Sequence, residues 1–177
     1  IYFYAVLSDG TTAGNRTAFF LIGTFMALWV ILYGLIQANA PRILRAKTRP
    51  TDELMKVARG WAWSLAAVPA ILTGIAIIAG KPQLWLTISL VAGLLIFGIV
   101  FAVNSSLHSY LLLSFTKAER VTMDVGFYYM ANAAGRLAGT LLSGLTYQIC
   151  GLPLMLGVAA FMVALSAIMV GLLKPER

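Results

Sequence analysis

Long apolar stretches alternate with short polar segments along this chain. Residues 17–41 carry no charged side chain, and neither do residues 60–80. Residues 82–116 hold only His108 as a titratable base, and residues 125–173 hold only Arg136. An uncharged apolar run of about 18 residues or more is long enough to cross the hydrocarbon of a bilayer as a helix. The pattern predicts five spans, over about 17–40, 60–80, 84–114, 125–149 and 154–173, with ends uncertain by a few residues. Pro41 is expected to stop the first span and Pro69 to kink the second. Gly151-Leu152-Pro153 is expected to end the fourth. The fold class that follows is an all-α, polytopic membrane helix bundle.

Placing residues at 100° per step sorts each span into faces. On the fourth span, Tyr128, Tyr129, Asn132, Arg136, Thr140, Ser143 and Tyr147 fall within roughly a third of the circumference. Ala131, Gly135 and Gly139 form a small-residue stripe beside them, which suits close helix packing. Phe127, Met130, Leu137, Leu141 and Leu145 take the far side and suit lipid. On the third span, Phe97, Phe101, Asn104 and His108 share a narrow face, with Ser105 beside it. On the first, Trp29, Tyr33 and Gln37 recur at every fourth position. The second and fifth spans offer few polar groups, and Ser64 and Thr73 are able to bond their own helix backbone. Three helices with a wet face and two without predict a bundle around an aqueous cavity, with the second and fifth helices peripheral.

Composition agrees: 60% of residues are hydrophobic and 11% charged, against about 25% charged in soluble domains. The net charge of +7 reports topology. Arg42, Arg45, Lys47, Arg49, Lys56, Arg59, Lys117, Arg120, Lys174 and Arg177 fall on one side of the predicted spans; only Arg16 and Lys81 fall on the other. By the positive-inside rule the first side, with the C-terminal tail, is cytoplasmic. No basic groove interleaved with aromatics accompanies the charge, so nucleic acid is not an expected partner. The single Cys150 allows no internal disulfide and no thiolate metal site. No HExxH, GxSxG or paired intramembrane carboxylates occur, so neither an enzyme nor a bound cofactor or metal is expected. The chain opens on Ile1, and residues 1–7 read as the tail of an earlier apolar segment. The expectation is the C-terminal piece of a longer protein.

Arg136 carries the main chemical question. A charge near the middle of a span costs about 2.5–3.5 kcal/mol on insertion scales and marks a function by default. Its guanidinium fork suits phosphate or arsenate oxygens, with Asn132, Tyr128 or Tyr129, and Asn104 as helpers. The alternative is a structural pin paired with a group outside this sequence, since no acidic residue lies within the predicted spans. His108 is the one candidate here for carrying a coupling proton; otherwise it is a hydrogen-bonded residue near a helix end. Tyr33 and Gln37, and the aromatic faces around Trp29 and Phe97/Phe101, are either ligand contacts or packing.

The alternation of wet and peripheral helices resembles the C-terminal half of the major facilitator superfamily. The five spans would then be helices eight to twelve, and residues 1–7 the end of helix seven. FTKAERVTMDVG (115–126) resembles the cytoplasmic loop between helices ten and eleven, whereas residues 34–45 lack the Asp of the superfamily's second loop motif. A closer resemblance rests on VNSSLHSYL (103–111), DVGFYYMANAAGRLAGTLLSGLTYQ (124–148) and ALWVILYGLIQA (27–38). These segments resemble the organoarsenical efflux permeases of arsenic resistance, with Ala134 standing where that family has Gly. The resemblance implies export of 1-arseno-3-phosphoglycerate across a bacterial inner membrane, and a functional link to the glyceraldehyde-3-phosphate dehydrogenase that makes it. It also implies that the N-terminal half supplies part of the site. A permease for another metabolite or drug is the alternative within the class. A non-transport membrane assembly protein is the alternative outside it.

Overall fold

A computed structural model describes residues 2–44, 48–116 and 118–172. Expectations that involve Ile1, Arg45, Lys47, Lys117, Leu173, Lys174 and Arg177 lie outside the described residues. The order is α1 (Tyr2–Leu7), α2 (Thr12–Ile43), α3 (Thr51–Ala79), α4 (Leu84–Phe115), a 3-10 turn (Ala118–Arg120) and α5 (Val121–Leu172). The described residues are all helical apart from the connections, and α2 to α5 are each long and apolar enough to cross a membrane. The chain is a multi-pass membrane helix bundle.

The helices extend past the apolar runs that announced them. α2 starts at Thr12 because Thr11 caps it, its hydroxyl accepting from the Gly14 N–H at 3.0 Å. Asp9 orders the approach, accepting from the Thr11 N–H at 2.9 Å and from the Thr11 hydroxyl at 2.7 Å. α3 starts at Thr51, with Asp52 and Glu53 in its first turn, where the helix dipole favours negative charge. Pro41 does not stop α2, which runs to Ile43 and closes with the Leu44 N–H on the Ala40 carbonyl at 2.9 Å. A proline lacks a donor and crowds the carbonyl four residues back, but one more turn remains possible. α3 also continues through Pro69, and Thr73 returns its hydroxyl to the Pro69 carbonyl at 2.7 Å.

α5 is interrupted at Cys150 (φ −136°, ψ 18°) and Gly151 (φ 70°, ψ −156°). Its 52 residues would stretch about 78 Å if straight, more than twice a hydrocarbon core of about 30 Å. Neighbours show that the chain reverses there. Val170, near the end of α5, packs with Leu54, Met55 and Ala58 at the start of α3. Leu152 and Leu156 pack with Leu72, Ala76 and Ala79 at the other end of α3, where Tyr147 also sits. The arm 152–172 therefore runs antiparallel to α3, and the arm 121–149 crosses in the opposite sense. The expected break at Gly151–Pro153 stands where the sequence placed it.

Two apolar clusters mark the two ends of the bundle. One joins Ala40 of α2 and its C-cap Leu44, Leu54 and Ala58 of α3, Val103, Leu107 and Leu111 of α4, and Val170. The other joins Tyr2, Leu72, Ala76, Leu86 and Leu90. Arg42, Lys56, Arg59 and Arg120 belong to helix ends or turns at the first; Lys81 lies in the turn at the second.

α4 packs against α2 on one side and α3 on the other, and α3 packs against α5. α3 shows Trp63, Ile71 and Ile78 outward, as a lipid-facing helix should. It is not merely peripheral, however. Buried residues fill 39% of its most apolar window, the largest share of the four long helices, against 0% for α2. The reason is small residues: Ala58, Ala62, Ala66 and Ala76 let neighbours approach along its whole length.

Gly151 sits at a φ,ψ combination essentially reserved for glycine, so Gly151→Ala should destabilise the fold by about 1–3 kcal/mol. Gly144, with open space where a Cβ would stand, is the control: Gly144→Ala should be neutral or stabilising by up to about 1 kcal/mol. Thermal unfolding in detergent distinguishes them.

The Thr11 hydroxyl and amide hold the exposed Asp9 carboxyl below its usual value of 3.8. A depressed carboxylate pKa stabilises above the unfolded value and loses that contribution as pH falls through the folded value. The protection of the Thr11 and Gly14 amides, corrected for the intrinsic slowing of amide exchange with acid, should thus weaken as pH drops below about 3.8. In Asp9→Asn this acid-dependent step should be absent.

Candidate functional site

The polar positions singled out by the sequence fall into two groups. The first lies between α2 and α4. The Trp29 indole N–H donates to the Leu94 carbonyl at 2.8 Å. Trp29 stacks on Tyr33 at 5.9 Å, Tyr33 meets Phe101 at 5.5 Å, and Phe101 stacks on Phe97 at 5.8 Å. One turn further on, the Gln37 amide N–H donates to the Ser105 hydroxyl at 3.3 Å. The i, i+4, i+8 face of α2 is therefore a seam against α4. Tyr33 and Gln37 are half-buried in it and are occupied by helix contacts.

Gly98 makes this seam possible. A Cβ at that position would stand 2.7 Å from the Trp29 indole nitrogen. The sequence pattern did not single out Gly98 or the Trp29–Leu94 bond. The signal for the pair was present only as an indole donor on an apolar helix, which needs an acceptor when buried.

Asn104 and His108 continue the same region of α4. Asn104 is buried, and its Oδ1 has no hydrogen-bond partner; His108 is half-buried, with Nε2 in the same condition. Along α4 they alternate with Val103, Leu107 and Leu111, which pack with α2 and α3 at one end of the bundle.

The second group is on the 121–149 arm of α5. Arg136, Asn132, Gly135 and Gly139 are all exposed, as are Phe127, Met130, Leu137 and Leu141. A Cβ on Gly135 or Gly139 would meet nothing within 4 Å. The small stripe expected to receive a neighbouring helix receives none among the described residues. Tyr128, Ala131, Asn132, Gly135 and Arg136 line a shallow depression of about 340 Å³. Tyr129 does not line it; its ring meets Tyr128 edge-on at 5.7 Å. Thr140 turns back to the Arg136 carbonyl at 2.8 Å and so satisfies itself on its own helix.

The structure thus brings Arg136, Asn132 and Tyr128 together, and separately brings Tyr33 and Gln37 onto α4. Asn104, Tyr33 and Gln37 do not line the Arg136 depression. A larger depression of about 560 Å³ runs along α2 from Arg16 to Leu28, with the Arg16 guanidinium 5.8 Å above the Phe20 ring. Sequence reasoning used Arg16 only in the charge count. The i, i+4 spacing of Arg16 and Phe20 was the available signal. Both depressions belong to single helix faces, so α2 and the Arg136 arm are the open flanks of the bundle. Among the described residues no cluster of three or more metal-ligating side chains occurs.

The α2–α4 seam yields a paired test. Gly98→Ala drives a methyl into a hydrogen-bonded indole and should cost about 1–3 kcal/mol. Gly93→Ala meets the Leu72 side chain, its methyls also at 2.7 Å, and a leucine that holds no hydrogen bond can change rotamer, so its cost should be smaller. Melting temperatures in detergent rank the two. Comparison of the chain with protein-family models, with curated proteins and with solved structures returns no match.

Proposed function

We propose that this chain is the C-terminal half of a major facilitator permease that exports an anionic organoarsenical by alternating access. The observation that carries the reading is Arg136. It stands mid-way along a membrane-crossing arm, exposed, with no carboxylate in that arm beyond Asp124 near its start. A guanidinium retained at such depth calls for an anion. Asn132 and Tyr128 share its depression and supply an amide and a phenol for oxyanion hydrogen bonds. The open flanks at α2 and at the Arg136 arm support the reading further, because an alternating-access carrier needs a second half to rock against.

In this mechanism the cytoplasm-facing state admits the anion to Arg136, Asn132 and Tyr128. Rocking of the two halves then exposes it to the outside. The chain does no covalent chemistry and needs no cofactor. The C-terminal tail and the basic end of the bundle face the cytoplasm of a bacterial inner membrane. The cargo is arseno-phosphoglycerate by sequence resemblance, and its oxyanions match the guanidinium that Arg136 holds mid-way along its arm. A dehydrogenase that makes this compound from arsenate would work alongside.

The test is arsenate survival of a sensitive host that expresses the full-length gene with a glyceraldehyde-3-phosphate dehydrogenase. Wild type should lower cellular arsenic. Arg136→Ala, at matched membrane level, should lose anion affinity by about 10–100-fold, the equivalent of a charge-assisted bond of about 1.5–3 kcal/mol. Arg136→Lys should retain part of it. No protection by wild type would remove the organoarsenical cargo. Full protection by Arg136→Ala would remove the anion role.

A further inference from the structure

A groove opens between α3 and the 152–172 arm of α5. Ala66, Ala67 and Ala70 form one wall, Ala160 and Ala164 the other, and the space they line is about 340 Å³. Trp63 and Phe161, both exposed, stand at its rims. The two helices run antiparallel, so their register fixes where the groove ends. A Cβ on Gly157 would stand 3.6 Å from the Thr73 methyl. The helices therefore touch one turn past Ala70 and Ala160 and close the groove there. Toward the basic end of the bundle it stays open. Gly60 and Gly171 lie seven residues, nearly two turns, from Ala67 and Ala164, and so on the same helix faces. A Cβ on either would meet nothing within 4 Å.

Depth says what fits. The uncharged run 60–80 of α3 rises about 30 Å, the thickness of the hydrocarbon core. Gly60 then lies at the edge of that core and Ala70 at its middle. The groove covers one leaflet, from interface to midplane, and stops. A partner's membrane helix would cross both leaflets, and the Trp63 and Phe161 rings would hold its backbone off the alanines. An acyl chain lies within one leaflet, is flexible enough to pass between the rings and brings no polar group into an apolar groove. Charge completes the match. Lys56 is exposed, lies seven residues before Trp63 on the same face of α3, and stands about 6 Å outside Gly60, among the headgroups. Trp63, just inside the interface, is the kind of residue found at that level. Asp52, the nearest acid on this face before Lys56, is one turn further outward.

We propose that this groove binds one acyl chain of a glycerophospholipid from the leaflet at the basic end of the bundle, with the lipid phosphate held by Lys56. The chain lies over Ala67 and Ala164 and ends where Thr73 meets Gly157. The lipid thus fills the seam between α3 and the 152–172 arm over the length where their side chains are too small to do so. The site does not depend on the transport reading and is unaffected if that reading fails.

The probe is dioleoyl phosphatidylglycerol, added to the full-length protein in detergent and counted as retained lipid by native mass spectrometry. Wild type should retain it. Ala67→Phe fills the groove and should lower retention several-fold, and Lys56→Gln should lower it as well. Ile71→Phe enlarges an exposed side chain outside the groove and should leave retention unchanged. Dihexanoyl phosphatidylglycerol carries the same headgroup on chains too short to reach Ala70, and wild type should retain it several-fold less. Unchanged retention in Ala67→Phe or in Lys56→Gln overturns the proposal. So does equal retention of the two lipids, which would mean that the headgroup binds without the chain. A dimer that Ala67→Phe dissociates overturns it too, because the groove would then be a contact between copies. The comparison of chain lengths uses wild type alone and decides even if a variant fails to fold.

Discussion

In hydrocarbon no water is present to satisfy a backbone amide, so each crossing segment must pair its own N–H and C=O groups. Everything else in this structure is arranged around that demand. The four long elements are helices whose interiors are apolar, and their serines and threonines turn hydroxyls back onto carbonyls one turn earlier, as Ser64 does to Gly60 and Thr146 to Leu142. The same demand limits where the chain can reverse. Cys150 and Gly151 leave helical geometry, and only a glycine accepts the backbone angles found at Gly151.

Once backbone groups are satisfied internally, helix association in lipid draws little from the hydrophobic effect and depends on close packing and on polar contacts between helices. α3 uses the first route, with alanines spaced along the face that α4 and α5 cover. The α2–α4 pair uses the second. The Trp29 indole reaches a backbone carbonyl across a glycine, and Gln37 reaches Ser105 two turns later. The aromatic rings between them fill the space at contact distances of 5.5–5.9 Å. Side chains that look like ligand groups on a helical projection are thus engaged in holding two helices together.

The Arg136 arm shows the opposite condition. Its small and apolar faces are exposed, as is its polar face from Tyr129 to Ser143, and the guanidinium has Asn132 and Tyr128 for company but no acidic side chain close by in its own arm. A helix this open, with a charge at its middle, gains its free energy from what it meets: lipid on the Phe127–Leu141 side, and an anion or a further helix on the others. That is why the functional reading centres on Arg136 and not on the seam, whose groups already have partners.

Legible in the residues alone were the apolar crossing segments, the break near Gly151 and the placing of Arg42, Lys56, Arg59 and Arg120 toward one end. Each is a local property, set by apolar run length, by glycine geometry and by charge. The sequence also identified the three faces of the Arg136 helix, since a 3.6-residue repeat fixes them before any neighbour is chosen. Tertiary structure alone decided which faces are covered. Trp29, Tyr33 and Gln37 on α2 and Tyr128, Asn132 and Arg136 on α5 give the same kind of polar stripe in projection, yet the first is a packing seam and the second is open. The difference lies on the partner helix: Gly98 leaves room for an indole and Ser105 offers an oxygen. No periodicity within α2 carries that information, because complementarity between two helices is a property of the pair.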